Sequence, residues 1–419
     1  MKTAIIGGGA AGFFTAINLK EMVAPMEVTI FERAHRVLQK VEISGGGRCN
    51  CTNSFRLVSD LSQVYPRGHR LLKRLFKSFG PEDTYRWFEE RGVALVTQDD
   101  ECVFPQSQNS HSIINLFLSE ARRLGIEIKT GCAISTNIQK DSQDTDSLDA
   151  LFRDYDFVVV TTGGSPKKEG LQWLGHEIVQ PVPSLFTFQI EDKALHDLMG
   201  TVVENATAFM PGTKLRANGP LLITHWGMSG PAILRLSSYA ARLLAENAYK
   251  MPLSINWTSE TEATVNEELT AIATRHPQKQ VASQSAFALP SRLWTYLVEK
   301  SLAPGAEQSK SSQNKENYMT RRWCDLSKKD FNRLVNRLVN DEYTIASRAP
   351  FKDEFVTCGG ISLSAVNPST LESRLRPHLY FAGEVLDIDG VTGGFNFQAA
   401  WSTAYTVAHA ISQEALSNK

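Results

Sequence analysis

Residues 1–53 constrain the fold more than any other stretch of the chain. The apolar strand Thr3-Ala4-Ile5-Ile6 runs directly into Gly7-Gly8-Gly9-Ala10-Ala11-Gly12. An apolar helical run, Phe13 to Met22, follows, and a second short strand ends at Glu32, with Arg33 next to it as a further candidate contact. In such a G-x-G-x-x-G unit each glycine has a separate task. Gly7 permits the tight turn out of the strand, Gly9 lets a pyrophosphate approach the backbone, and Gly12 lets the helix pack on the sheet. The first helical turn, with Ala10 and Ala11, then faces the phosphates with free N–H groups and a positive dipole end. Glu32 lies 20 residues after Gly12, where a carboxylate accepts from ribose hydroxyls. The unit predicts a dinucleotide-binding α/β domain and leaves the dinucleotide open.

Three further glycine-rich stretches narrow that choice. Ser44-Gly45-Gly46-Gly47-Arg48-Cys49-Asn50-Cys51-Thr52-Asn53 is a loop rich in backbone donors, suited to a flat or anionic ligand. The continuous apolar strand Phe157 to Val160, of the kind buried on both faces, ends in Thr161-Thr162-Gly163-Gly164. Tyr380-Phe381-Ala382 ends likewise in Gly383-Glu384, and Asp389-Gly390-Val391-Thr392-Gly393-Gly394-Phe395-Asn396-Phe397 opens the last helix. Parallel strands present ligands at their carboxyl ends. One such loop could serve NAD; four, spread from the first strand to the last helix, suit an extended ligand such as FAD. The N–H groups at 393–396 could stabilise charge on a reduced flavin.

Between these segments lies a chain too long for one core, 419 residues, so at least two domains are expected. Composition changes near Pro181-Val182-Pro183. The reading is a Rossmann-like domain over 1–187 and 348–419, with an inserted β-rich and helical domain over 188–347. Expected strands of the insertion include Leu185 to Ile190, Thr201 to Met210, Thr213 to Arg216, Pro220 to His225, Pro252 to Trp257 and Tyr343 to Ser347. Expected helices are Pro231 to Ala245, Ser259 to His276, Pro290 to Ser301 and Ser327 to Asn340, with a polar stretch from Gly305 to Asn317. In the first domain, Arg33 to Ile43 reads as loop or short helix. Val93 to Thr97 with Cys102 to Phe104 reads as a hairpin, and Gln139 to Asp149 as a polar loop.

The formal net charge of −1 gives no global field for nucleic acid, and none is expected as a partner. Two basic helix faces, Arg67, His69, Arg70, Lys73, Arg74, Lys77 and Arg321, Arg322, Lys328, Lys329, Arg333, Arg337, read as solvated surfaces. No apolar run reaches about 18 residues, and the first strand leaves no room for a leader, so a cytoplasmic protein without membrane contact is expected. Six cysteines without a C-x-x-C pair predict reduced thiols and no metal site. Cys49 and Cys51, one residue apart, are too closely spaced for a usual redox dithiol. They read as packed side chains. His225, in Thr224-His225-Trp226-Gly227-Met228-Ser229-Gly230-Pro231, is the candidate polar group reaching a flavin from the insertion.

The chain resembles the bacterial BaiN/YhiN-type flavoproteins, a family with a two-dinucleotide-binding-type FAD fold and an inserted domain. The matching residues are Gly7 to Gly12; Lys40 with Ile43 to Asn50, Thr52 and Asn53; Val103-Phe104-Pro105; Thr162 to Ser165; Thr224 to Pro231; Val356-Thr357 with Gly359-Gly360; and Phe381 to Asp387 with Gly393 to Gln398. The resemblance implies that Glu32 binds the adenosine ribose and that Ala133 lies near the adenine. It places Lys40, Ser44, Gly45, Gly46, Arg48, Cys49, Asn50, Gly393, Gly394, Phe395, Asn396 and Phe397 around the pyrophosphate and flavin. Cys51 stands where the family usually has a hydrophobic residue, and Phe395 where it often has Tyr. An FAD-dependent oxidoreductase of a small organic substrate is implied, linked to NAD(P)H or oxygen. Without a second G-x-G-x-x-G unit, NAD(P)H would bind transiently over the flavin. The alternatives are a flavin-containing RNA-interacting protein and a flavin-binding scaffold with little turnover. Oligomeric state has no signature in the sequence.

Overall fold

The computed structural model describes residues 1–134, 147–302, 318–348 and 356–417. The chain divides into two compact units, Met1–Pro183 with Val356–Lys419, and Ser184–Phe355.

The first unit is built on a five-stranded parallel sheet. Its order is Leu379–Phe381, Phe157–Val160, Lys2–Ile6, Glu27–Phe31, Glu127–Lys129. Ala4 sits in register with Thr29 on one side and Val158 on the other. The chain therefore leaves the first strand in one direction and later returns to its opposite side. The carboxyl ends of Lys2–Ile6 and Phe157–Val160 form the switch point where ligands bind in such sheets. Ala4, Ile5, Val158, Val159 and Val160 are fully buried, which explains why these strands read as unbroken apolar runs. The helix Ala10–Met22 buries every residue from Ala11 to Leu19. Phe14 packs against Trp401 of the last helix, Phe395–Ser417, with ring centres 5.1 Å apart.

A three-stranded antiparallel sheet flanks this core. Leu95–Thr97 and Cys102–Pro105 form the expected hairpin, and Thr52–Asn53, from the end of the glycine loop, adds a third strand. Ile178–Ser184 pairs with Val356–Ile361. The limits of the units fall at 183/184 and 355/356, against expected limits of 187/188 and 347/348. The expected strand start at Leu185 is instead the loop after Ile178–Ser184, and Asp341–Arg348 is a strand of the second unit.

The second unit is a closed six-stranded barrel with a helical lobe. Its strands run in the order Val202–Phe209, Arg216–Thr224, Gly227–Ser229, Phe188–Ile190, Asp341–Arg348, Met251–Asn256, and the last pairs with the first. Closure leaves no free edge. The helices Glu262–Arg275, Ser291–Leu302 and Lys328–Val339 make up the lobe, with Trp257, Trp294 and Leu334 fully buried.

Several sequence expectations need correction. Thr213 to Arg216 and Pro220 to His225 are not separate strands, because Gly219-Pro220 lies within one strand, Arg216–Thr224. The register shift opposite, between Val203 and Ala206, spares the ladder bond that proline cannot make. Pro231 to Ala245 is two helices, Pro231–Tyr239 and Ala241–Glu246, parted at Ala240. The short helix allowed for within Arg33 to Ile43 is present as Gln39–Gly47, but it runs on into the first part of the glycine loop, interrupted at Ser44, Gly45 and Gly46. The polar stretch Gln139 to Asp149 lies mostly outside the described residues, and its end opens a helix, Ser147–Asp154. The stretch Gly305 to Asn317 lies outside them altogether.

Asp341 ties barrel to lobe. Its fully buried carboxylate accepts from Trp257 Nε1 at 3.0 Å, Lys300 Nζ at 2.9 Å, Arg337 at 2.7 Å and Tyr343 OH at 2.5 Å. Burial first, then the Asp341 charge, pushes the Tyr343 hydroxyl well above its ordinary pKa, so it stays a donor. Asp341→Asn removes the charge that both cations face and is expected to cost about 3–5 kcal/mol. The measurement is the urea midpoint of tryptophan fluorescence. A shift no larger than that of an exposed Glu262→Gln control would exclude this role.

Candidate functional site

The adenylate end is built by the first strand and its loop. A Cβ on Gly12 would lie 2.0 Å from the Gly7 carbonyl oxygen, so only glycine lets the helix start this close to the strand. A Cβ on Gly9 would meet nothing within 4 Å. The fold itself does not require glycine there; space in front of the loop does. No side chain caps the helix Ala10–Met22, and its first turn holds no acid, so N–H groups beside Ala10 and Ala11 are left for an anion. The Glu32 carboxylate accepts from Gly8 N–H and Ala34 N–H, each at 2.8 Å. Cys132 N–H donates to the Glu32 carbonyl at 2.9 Å. Exposed Ala133 is therefore beside Glu32, and Arg33 points outward.

On the other side of the first strand, Thr161 N–H donates to the Ile6 carbonyl at 2.8 Å, and its hydroxyl to the Gly7 carbonyl at 2.9 Å. Thr162, Gly163 and Gly164 follow at this edge. A Cβ on Gly164 would lie 2.7 Å from the Glu384 carboxylate. That carboxylate accepts from Thr357 N–H at 2.9 Å and from Lys40 Nζ at 2.9 Å. A Cβ on Gly383 would lie 2.9 Å from Cβ of Ala11. The first, third and fourth glycine clusters thus share one crevice.

The fourth cluster also holds the second. Asn53 Nδ2 donates to the Gly393 carbonyl at 3.0 Å. The Asn50 amide donates to the Thr52 and Val103 carbonyls and accepts from Gly394 N–H at 3.1 Å. Thr52 and Thr84 hydroxyls both donate to Gln398 Oε1, at 2.6 and 2.9 Å. Ser44, Gly45 and Gly46 are the turn of this loop. Arg48 is held by the Gly45 carbonyl at 3.0 Å and over the Phe104 ring at 4.1 Å.

Besides Lys40, Glu384 and Asn50, whose partners are given above, three more proposed ligand contacts have their side chains engaged within the protein. Asp389 is fully buried in an ion pair with Arg67. Asn396 both donates to and accepts from the Gly390 backbone. The Phe395 ring turns inward against Phe55 at 5.1 Å and Tyr65 at 5.9 Å, with Tyr65 OH donating to the Phe395 carbonyl. These groups shape the loop that carries Gly393 and Gly394. Phe397 stacks on Trp401. Sequence reasoning missed Tyr65, Arg67 and Gln398 as supports of the site. Arg67 looked like one more cation of a basic run, and its partner is 322 residues away.

Cys49 and Cys51 are fully buried, their sulfurs 3.9 Å apart. Burial, then the hydrogen bond to Cys49, pushes the Cys51 thiol well above its ordinary pKa, which makes it a poor nucleophile. His225 belongs to the second unit. It is exposed on the turn between Arg216–Thr224 and Gly227–Ser229, its ring 4.0 Å from that of Trp226.

A family model described as HI0933-like protein Rossmann domain matches residues 1–410. The chain belongs to that family. It is a Rossmann-fold flavoprotein oxidoreductase, as the resemblance implied. Among curated proteins it is similar to the 3-dehydro-bile acid delta(4,6)-reductase of Clostridium scindens, 26% identical over 420 residues and 98% of each chain. It is also similar to the ribosomal RNA dihydrouridine synthase of Haemophilus influenzae, 27% identical over 425 residues and 98% of each chain. The protein of the same name from Escherichia coli is 26% identical over 416 residues and 96% of each chain. Among solved structures, the 3-ketosteroid delta1-dehydrogenase of Sterolibacterium denitrificans aligns with a TM-score of 0.46 at 8% identity, over 98% of this chain and 99% of that one. No helix among the described residues is long and apolar enough to cross a membrane.

Two predictions separate ligand-driven from fold-driven features. Gly9→Ala is expected to keep the unfolding free energy of the ligand-free protein within about 1 kcal/mol of wild type while lowering bound flavin, read from absorbance at purification. Gly12→Ala is expected to lower both. Equal loss of stability in the two variants would remove Gly9 from the ligand's path. Cys49 and Cys51 are expected to resist maleimide labelling in the folded protein and react in urea; rapid labelling of either in the native state would restore a redox role.

Proposed function

We propose that the chain is an FAD-dependent reductase that saturates a carbon–carbon double bond conjugated to a carbonyl, with NAD(P)H as electron source. The observation that carries this is the convergence of four backbone-lined segments on one crevice. Their order along it suits a cofactor running from Glu32 to Gly393 and Gly394. FAD held there and reduced by NAD(P)H would supply a hydride to the substrate.

The residues divide the work by position. Glu32 receives the ribose hydroxyls, and the open approach at Gly9 with the uncapped first turn of Ala10–Met22 receives the pyrophosphate. Arg48 adds positive charge beside the phosphates, and Lys40 balances the Glu384 carboxylate at the same edge. Gly393 N–H and the start of the helix Phe395–Ser417 offer positive potential to the pyrimidine end of the flavin. Asn50 and Asn53 keep that loop from moving when charge develops. His225 is the proposed donor of the proton that, with the hydride, completes addition across the double bond.

Two relatives with different substrates support the reaction class. In the bile acid named for the first, the double bonds at positions 4 and 6 are conjugated to the 3-oxo group. In the uracil ring reduced by a dihydrouridine synthase, the double bond adjoins a ring carbonyl. Both reactions place a hydride on the carbon remote from a carbonyl that takes up the negative charge, so one site chemistry serves both.

Anaerobic stopped-flow is the test. NADH or NADPH is expected to bleach the flavin absorbance, and cyclohexenone, a minimal conjugated ketone, to restore it. His225→Gln is expected to leave bleaching unchanged and slow the restoration by about 10²-fold. Failure of both nicotinamides to bleach the flavin would overturn the reductase reading in favour of a flavin-binding scaffold.

A further inference from the structure

Gln398 is fully buried, one turn into the helix Phe395–Ser417, a place where an amide is costly unless its polar atoms are bonded. Its Oε1 accepts from two hydroxyls on different elements, Thr52 of the strand Thr52–Asn53 and Thr84 of the helix Pro81–Glu89. Its Nε2 donates to Ser402 Oγ at 3.1 Å, and Ser402 Oγ donates on to the Phe79 carbonyl at 2.8 Å. Thr52, Thr84 and Ser402 are fully buried as well. One side chain thus ties the last helix to two segments more than 300 residues earlier.

The three hydroxyls do not depend on this amide for a partner. Thr52 Oγ1 also lies 3.3 Å from the Asn53 carbonyl, Thr84 Oγ1 3.3 Å from the Gly80 carbonyl, and Ser402 Oγ 3.0 Å from the Gln398 carbonyl. Each would keep an acceptor if the glutamine amide were gone. What the amide adds is a fixed relation between the segments. An apolar side chain of the same length would fill the space without setting that relation.

That relation bears on the start of the helix. Gly393 and Gly394 precede it with φ of +125° and +88°, and two consecutive glycines of that kind make a soft joint. Gln398 N–H donates to the Gly394 carbonyl at 3.1 Å, closing the first turn. A Cβ on Gly394 would lie 2.1 Å from the Thr52 carbonyl oxygen. The backbone of Thr52 therefore meets Gly394 while its side chain meets Gln398. Tyr65 and Gly390 hold Phe395 and Asn396, and Gln398 holds the same turn to the strand that carries Asn53.

We propose that Gln398 is a positioning residue that raises the reduction potential of the flavin. It does so by holding the first-turn N–H groups of Phe395–Ser417 where they stabilise the negative charge of the reduced ring. This rests on the reading above for where the flavin lies, and extends it to how that site sets its redox poise. Reduction by two electrons and one proton leaves one negative charge on the ring system. The N-terminal end of a helix carries about half a positive charge, and its effect fades within one turn. A small displacement of that turn therefore changes the potential without emptying the site.

The test is a reference-dye titration of the full-length, FAD-loaded protein, reduced anaerobically by xanthine and xanthine oxidase. At a given dye poise, Gln398→Met is expected to shift the ratio of reduced to oxidised flavin about three- to tenfold toward oxidised. That corresponds to about 15–30 mV for a two-electron couple. Thr52→Val with Thr84→Val keeps the glutamine, removes its two donors, and is expected to give the same shift. All three changes together should give no more than either set alone, because they break one linkage. Ser412→Ala removes a buried hydroxyl that bonds within the same helix, to the His409 carbonyl, and should leave the potential at the wild-type value. A potential unmoved in the first two variants, shifts that add in the combination, or an equal shift in Ser412→Ala would each overturn the proposal. If Gln398→Met does not fold, the threonine pair decides alone. The reductant is independent of nicotinamide, so failures can be told apart. The expected shifts without bleaching by NADH or NADPH would sink the reductase reading and leave Gln398 in its role, whereas bleaching with an unmoved potential would sink this inference alone.

Discussion

Gly12 passes so close to the Gly7 carbonyl that one methyl group would not fit between them. That contact sets the distance between the first strand and the first helix, and much of the unit follows from it. The helix can then bury nine consecutive residues, Ala11 to Leu19, against the sheet and the last helix. Its uncapped end is brought to the sheet's switch point, where the connections from neighbouring parallel strands leave to opposite sides. The crevice is a by-product of chain direction and close packing, and the ligand-facing glycines line what those two constraints leave open.

A crevice of this kind needs its far end fixed as well. That end comes from residues more than 300 positions later, and polar contacts hold it to the first third of the chain. Asn50, Thr52 and Asn53 reach Gly394, Gln398 and Gly393, while Arg67 neutralises Asp389 in the interior. Buried polar pairs contribute modest net stability, but a broken one is costly, so they favour one register of the two segments over its neighbours. Here that register determines where the reactive end of a cofactor would lie.

How much of this was legible in the sequence depends on the range of the interaction. The strand–glycine–helix–acid unit could be read because each of its constraints acts within about 30 residues, the length of one βαβ unit. The buried strands at 157–160 and 379–381 were legible from composition alone. Interactions across the chain were not. Asp389 looked like a ligand contact because it stood in a glycine-rich turn, and Arg67 looked like surface because it stood in a basic run. Only folding shows that each is the other's partner. Gly219-Pro220 misled for a similar reason: the bulge that accommodates it belongs to the neighbouring strand.

The discontinuous domain also has a history during synthesis. Phe157–Val160 leaves the ribosome with its neighbour on one side already made, while the strand that covers its other side, Leu379–Phe381, follows after the whole barrel. For the time needed to translate some 200 residues, roughly 10–40 s at bacterial rates of about 5–20 residues per second, that fully apolar strand has an unpaired edge. An open edge of this type invites pairing with other chains. The closed barrel exposes no edge of its own, but Ile178–Ser184 waits in the same way for Val356–Ile361, so both vulnerable seams of the nascent chain belong to the first unit.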